Sequence, residues 1–413
     1  MTENGSSLLP VSPFVQPYAW GSIDALADFL QMEPNGKPMA EAWYGVHPGG
    51  PSTVVVDGVV VTLTELVRRD PAHWFGTERS QPGMSFLLKI LAIDAPLSLQ
   101  LHPTIEQARA GFAEENGRGV DPADPRRVFR DENHKPELIC ALTQLDALCG
   151  FRPTAGSIEF LTVLGGALAE RMVRAITAGV STREIVLRAL TPDDELVGAI
   201  PDERVAATDE LVSRADAALG SACPERFCLA ASWIATLGRT YRGDGGVAVA
   251  ALLNCVRLEP GQALFLPAGN MHAYLRGLGV EIMANSDNVV RGGLTPKHVD
   301  VETLSRLVDT TPNDVKPMDP TRSAMAGGAR LEEWSVPVAD FALSRVSVAG
   351  SGTGSLSIGA GPAIVLCAEG SVVVSSNGSS ATVAKGAALV APARATLRFS
   401  GYGECFIATP GAR

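Results

Sequence analysis

Between Gly261 and His272 the chain reads GQALFLPAGNMH: a glycine, five residues to Pro267, one to Gly269, two to His272. Few patterns constrain a backbone as tightly. VRLEPGQALFLPAG (256–269) reads as strand, Pro-Gly turn, strand, because proline presets the first central φ of a tight turn and glycine accepts a positive φ at the second. The Pro-x-Gly pair then makes another turn just before the histidine. Two readings fit this arrangement. One is a plain hairpin with an incidental histidine; the other is a histidine projected into a barrel mouth as a metal ligand.

Composition suits a fold made of many such turns. Gly 42 and Pro 28 among 413 residues favour short strands over a helical bundle. The length calls for two or three packed units. Net charge is −11, from 34 basic and 45 acidic residues without any block of like charge, which makes a poor binder of nucleic acid or of a membrane surface. No stretch approaches the roughly 18 consecutive apolar residues of a membrane span. The start, MTENGSSLLP, lacks a basic region followed by an apolar run, so no secretory signal is read there. Seven cysteines (Cys140, Cys149, Cys223, Cys228, Cys255, Cys367 and Cys405) form no CxxC pair and read as reduced thiols of a cytoplasmic protein.

Residues 1–152 read as strands, including STVVVDGVVVTL (52–63) and MSFLLKILAI (84–93). Over 153–245 the period changes. Ser181 and Glu184 make a capping-box pattern ahead of Ile185, and Leu229, Trp233, Ile234 and Leu237 recur at helical spacing. Strands resume near Val247. The expected organisation is therefore a catalytic unit of 1–152 and 246–325, a helical insertion domain of 153–245, and a C-terminal β domain of 326–413 with a hairpin signal at Asn377-Gly378. The fold class is mainly β with a helical insertion.

Four further segments carry candidate chemistry. In Ser98-Leu99-Gln100-Leu101-His102, strand alternation puts Ser98, Gln100 and His102 on one face and the leucines on the other. That polar stripe faces either solvent or a metal-lined interior. In DENHKPE (131–137), Pro136 biases Lys135 toward an extended backbone, so Lys135 and Glu137 share a face and His134 points away. The pair is either an exposed ion pair or part of a site. The segment 272–300 packs Tyr274, Glu281, Asn285, Asp287, Asn288, Arg291 and Lys297 among small and apolar residues, a density that suits a lined cleft better than a core. Lys89 is a lone charge inside FLLKIL (86–91), either a snorkelling strand-edge lysine or an anion anchor.

Together these segments resemble a known family. The Gly261–His272 spacing is similar to the second half of the cupin motif. HKPE (134–137), the signature across 272–297, QLHP (100–103), PYAWGS (17–22) and EAWYG (41–45) resemble the type I phosphomannose isomerases over residues 14 to 305. The chain departs from the family pattern at Phe129 for Tyr, at Leu101 and Thr104 beside the His-Pro pair, and at Gly292 for Ala.

The resemblance implies cupin-type jelly-roll barrels and one Zn²⁺ held by Gln100, His102, Glu137 and His272, with Arg291 as catalytic arginine. It implies interconversion of mannose 6-phosphate and fructose 6-phosphate through a cis-enediol(ate). Such a reaction supplies mannose 6-phosphate for GDP-mannose and glycoconjugate synthesis, or serves mannose catabolism. Lys135, Glu281, Asp287 and a metal-bound water stand as proton carriers. Lys89, Ser98, Tyr274 and Lys297 stand as substrate-binding residues, with Lys89, Ser98 and Lys297 the phosphate candidates. The partner is a small-molecule sugar phosphate, and the chain is expected to be a monomer or weak homo-oligomer.

Gly386, five residues, then Pro392 repeats the start of the Gly261 motif, but Arg394 and Leu397 stand where glycine and histidine would follow. The C-terminal unit is read as a smaller cupin-like barrel without a metal site, chance agreement being the rival. Two other functions compete. A non-catalytic sugar-phosphate sensor would lose a ligand or Arg291. An iron cupin dioxygenase would show three histidine ligands. A fused sugar-nucleotide transferase is set aside, because no glycine-rich nucleotide loop precedes the barrel.

Overall fold

A computed structural model describes residues 8–76, 83–221 and 223–411. Residues 1–7, on which most of the reading of the N-terminal start rests, lie outside the described residues. The architecture is mainly antiparallel β with one large helical block at 154–250. The 1–152 segment is not strands alone, since Ala25–Phe29, Leu63–Arg69, Pro71–Phe75 and Ile105–Gly117 are helical, as is Val301–Leu307 further on. The strands form a ten-stranded and an eleven-stranded sheet.

The ten-stranded sheet runs Leu253–Leu258, Leu145–Phe151, His272–Ala284, Phe86–Ile93, Glu41–Tyr44, Phe14–Gln16. Ala263–Leu266 pairs Glu137–Ala141, and Val290–Arg291 pairs Gln100–Leu101, on branches from the long central strand His272–Ala284. The apolar run FLLKILAI is explained by this placement. Phe86, Leu88, Ile90 and Ala92 share a core with Leu343, Ile364, Val390 and Phe406 of the other sheet. Leu87, Leu91 and Ile93 face the opposite way, and Lys89 falls on that second face. Both faces are covered, so the strand is apolar throughout except where it meets the cavity.

The expected turns are present. The backbone N–H of Gln262 donates to Glu259 O across Pro260-Gly261, and that of Asn270 donates to Pro267 O across Ala268-Gly269. Gly269 has φ 75°, where a side chain would be strained. The strands flanking the Pro-Gly turn do not pair with each other, however. Leu253–Leu258 pairs Leu145–Phe151, whereas Ala263–Leu266 pairs Glu137–Ala141. The turn therefore carries the chain between two parts of the sheet, which disposes of the plain hairpin.

Helices Thr154–Leu164, Gly166–Thr177, Thr182–Leu190, Pro201–Ser221, Glu225–Thr240 and Gly246–Ala250 leave and re-enter the sheet at neighbouring strands, Phe151 lying opposite Leu253. A long helical excursion thus fits without disturbing the ladder. Ser181 accepts from Glu184 N at 3.2 Å, which is one half of the expected capping box. Near Val247 the chain is still helical; the strand begins at Leu253, because the apolar GVAVAAL run is buried against the helical core.

The eleven-stranded sheet contains the Asn377-Gly378 hairpin between Ala363–Ser376 and Ser379–Ala384, with both turn residues at positive φ. It also recruits Leu9–Ser12, paired to Ala388–Ala391, and the Thr53–Thr62 hairpin beside it. This pairing crosses the boundary drawn at residue 326. Two N-terminal segments sit in the C-terminal sheet because Leu9–Ser12 supplies the partner that Ala388–Ala391 lacks on that side. No helix of the described residues is long and apolar enough to cross a membrane.

Candidate metal centre and substrate cavity

Register alone assembles most of the site. Arg291 lies opposite Gln100, Gln100 opposite His272, and His272 opposite Cys149. Glu137 enters on the strand that pairs with Met283 and Leu266. A strand of period two would send His272 and Glu281 to opposite faces. The register slips between Tyr274 and Arg276, leaving Leu275 without a partner in the ladder. After that bulge the odd residues face inward, so Tyr274, Glu281 and Met283 all line one cavity.

His102, Glu137 and His272 are each 1–2% exposed, and their ligand atoms lie within 4.8 Å of one another. The tautomers are fixed by carbonyl groups, which only accept. His102 Nδ1 donates to Asn288 O at 2.7 Å and His272 Nδ1 donates to Asn270 O at 3.0 Å. Each ring therefore presents an unprotonated Nε2 to the centre, the arrangement metal-binding histidines use. Burial pushes His102 down to about 4, keeping it neutral against the pull of Glu137. Burial opposes the charge on Glu137, but Lys135, with Nζ 3.2 Å from Oε1, holds it well below the usual carboxylate range.

Glu137 Oε1 is 3.3 Å from His102 Nε2, and Glu137 Oε2 is 3.4 Å from His272 Nε2. Two unprotonated nitrogens cannot donate to a carboxylate. Consistent with this, His102 Nε2 and Glu137 Oε2 are buried without a hydrogen-bond partner. Buried polar atoms left in this way need a cation between them. The Gln100 amide closes the group, 3.5 Å from His272 Nε2, and half a turn about its last torsion presents its oxygen. Two imidazoles, a carboxylate and an amide oxygen fit Zn²⁺.

The centre borders a cavity of about 650 Å³. Lys89, Ser98, Gln100, Lys135, Glu137, Tyr274, Glu281, Asp287, Arg291 and Lys297 all line it, so the structure brings together every predicted residue except the two histidines, which lie just beneath its wall. Charge is graded along it. Deep inside, Lys89 Nζ lies 3.4 Å from Glu41 Oε2 and 3.2 Å from Glu281 Oε2, over the face of Trp43. Burial works against the Lys89 charge, yet Glu41 and Glu281 raise it above the ordinary lysine range. Burial raises the Glu281 carboxyl, with Lys89 opposing. Burial also pushes the Tyr274 phenol well up, so it stays protonated. Arg130 and Lys297 are exposed toward the rim and Arg291 is half-buried opposite Gln100, none of them in an ion pair among the described residues. Burial and then Arg130 lower Arg291; burial and then Arg291 lower Lys297. Arg291 thus sits against two cations, Arg130 and Lys297, a cluster that suits an anion; Arg130 also donates to the Pro122 and Asp124 carbonyls.

Comparison with known proteins agrees with this geometry. The catalytic-domain profile of type I phosphomannose isomerase matches residues 8–154. Mannose-6-phosphate isomerase of Escherichia coli K12 is 35% identical over 361 residues, 86% of this chain and 87% of that one. The human mannose-6-phosphate isomerase is 31% identical, covering 89% of each. The chain belongs to the type I phosphomannose isomerase family. A solved family member, the Salmonella typhimurium mannose 6-phosphate isomerase bound to f6p and zinc, superposes with a TM-score of 0.85 at 29% identity over 98% of this chain and 100% of that one. The mainly β, cupin-type fold expected from the sequence is the fold of these structures.

Among the cavity residues that the sequence reading missed are Glu41, Trp43, His47 and Arg130. Glu41 and Trp43 were visible as alternate residues of EAWYG, on a strand whose inward face meets Lys89 across the ladder. His47 had no sequence signal. Its Nε2 lies 3.3 Å from Asp287 Oδ1, and its Nδ1 accepts from Gly49 N, so the neutral ring donates to the carboxylate. His134 points away, as expected, with Nε2 2.9 Å from Asp340.

Proposed function

We propose that this chain interconverts mannose 6-phosphate and fructose 6-phosphate with one zinc held by Gln100, His102, Glu137 and His272. The observation that carries this is the buried His-Glu-His group, its lone pairs converging beside a cavity that grades into unpaired cations. When bound, zinc supplies Lewis-acid polarisation of the sugar's C1 and C2 oxygens. Arg291, opposite Gln100 in the ladder, stabilises the enediolate charge with its planar fork. Glu281 and Lys135 are the deep proton carriers beside the centre. The raised carboxyl of Glu281 suits a group that takes up and returns a proton. Asp287, steered by His47 near the mouth, is placed to orient sugar hydroxyls.

For the phosphate, Arg130 and Lys297 are favoured, with Ser98 lining the same cavity. Lys89 is better assigned to the reacting end. A dianion reaching Lys89 would meet two carboxyl groups already within 3.4 Å of its ammonium. Lys89→Met is therefore expected to lower kcat more than it raises KM. It also leaves two buried carboxyl groups uncompensated, at about 3–5 kcal/mol of stability. A steep rise in KM with kcat intact, from steady-state kinetics, would restore Lys89 to the phosphate.

The cavity suits a small sugar phosphate, on which the chain is proposed to act as a monomer or weak homo-oligomer. Seven free cysteines support a cytoplasmic, reducing setting. The direct test follows fructose 6-phosphate by NMR with the zinc-loaded protein. Mannose 6-phosphate should form to the same equilibrium from either side. No conversion, or glucose 6-phosphate as the only product, would contradict the assignment.

A further inference from the structure

The helical insertion meets the cavity at one turn, Tyr241 to Gly246, between helices Glu225–Thr240 and Gly246–Ala250. Across from it runs 292–297, the segment that follows Arg291 and carries Lys297. The contact is backbone on backbone: a Cβ on Gly246 would sit 2.7 Å from Leu294 N, and one on Gly293 would sit 2.7 Å from Gly246 Cα. Asp244 bridges the two. Its Oδ1 accepts from Gly246 N at 2.7 Å and its Oδ2 accepts from Thr295 N at 3.2 Å. Burial raises this carboxyl, and the N–H groups of Gly246, Thr295 and Leu294 pull it back.

The 292–297 segment needs holding. Leu294 has φ 54°, a conformation that a leucine keeps only when its surroundings fix it. Lys297 and Arg291 also repel each other. The turn is itself pinned from behind, since Arg204 Nε donates to Gly243 O while its other nitrogens donate to carbonyls of Ala189, Thr191 and Gly198. At the start of the turn the Tyr241 hydroxyl donates to Pro96 O at 3.2 Å, two residues before Ser98.

We propose that Asp244 is a positioning residue through which the helical insertion holds the Lys297 segment, and so sets affinity for the phosphate end of the substrate. The proposal rests on the assignment of the phosphate to the cationic rim, and it gives the insertion a role beyond packing.

Asp244→Asn tests it, because an amide offers one oxygen where the carboxylate offers two. KM for mannose 6-phosphate and Ki for inorganic phosphate should each rise about tenfold, the scale of one hydrogen bond to a charged acceptor. Residual turnover of unphosphorylated mannose and bound zinc should hold. In a Lys297→Met background the same change should add less than about twofold, since both act on one contact. Gly246→Ala reaches that contact by another route, pressing a methyl on Leu294 N, and should show the same selectivity for the phosphorylated sugar. Equal losses on both sugars, or full additivity with Lys297→Met, would overturn the proposal and make Asp244 a purely structural residue. Normal KM and Ki in Lys297→Met alone would overturn the cationic rim instead, and the positioning role with it.

Discussion

Arg291→Ala is expected to lower kcat by about 10²–10³-fold, the usual scale for losing one group that stabilises an oxyanion. The substrate's reacting end is neutral, whereas the enediolate carries negative charge on its oxygens. A cation placed there binds the transition state more strongly than the ground state, which is the condition for raising kcat. The structure supplies that cation without a competitor. Arg291 forms no ion pair among the described residues, and both burial and Arg130 disfavour its charge, so an arriving anion relieves the repulsion. Its place opposite Gln100 puts it beside the metal centre without making it a ligand. Bound zinc should therefore be unchanged in the alanine variant. Lysine should rescue only partly, because it offers a point charge where arginine offers a fork. Near-normal turnover in the alanine variant, or loss of its zinc by elemental analysis, would return Arg291 to a structural role.

The second large effect is at His272. His272→Ala removes one of two imidazoles and leaves Glu137 buried beside a single nitrogen. Bound zinc should fall to a small fraction. Activity should fall about 10³-fold or more, as several kcal/mol of charge stabilisation leave with the metal. His134→Ala is the control. That ring is paired with Asp340 and turned from the centre, so the variant should keep its zinc. Full occupancy in His272→Ala would refute the ligand set.

What could be read in the sequence was whatever local periodicity encodes. Gln100 and His102 share a face because strand side chains alternate, and Lys135 joins Glu137 because a proline holds the segment extended. The turns at Gly261 and Gly269 were legible because only particular residues tolerate their backbone. What was not legible depends on tertiary pairing. Leu9–Ser12 joins a sheet more than 370 residues away in sequence, and nothing local announces that. The inward turn of Glu281 rests on a bulge at Leu275 that ordinary alternation hides. The two carboxyl partners of Lys89, Glu41 and Glu281, come from neighbouring strands that the sequence does not align, so its surroundings were hidden. His47 was invisible for the same reason, since only the fold brings Asp287 to it.

The central claim is that one zinc, in one buried centre, makes this chain an isomerase. Its most direct test is a zinc titration of the chelator-stripped protein, with isomerase rate and bound metal measured in the same sample. The rate should rise linearly from zero and reach its plateau at one zinc per chain. A metal-free protein that still interconverts the two sugar phosphates, or a fully zinc-loaded one that does not, would contradict the account.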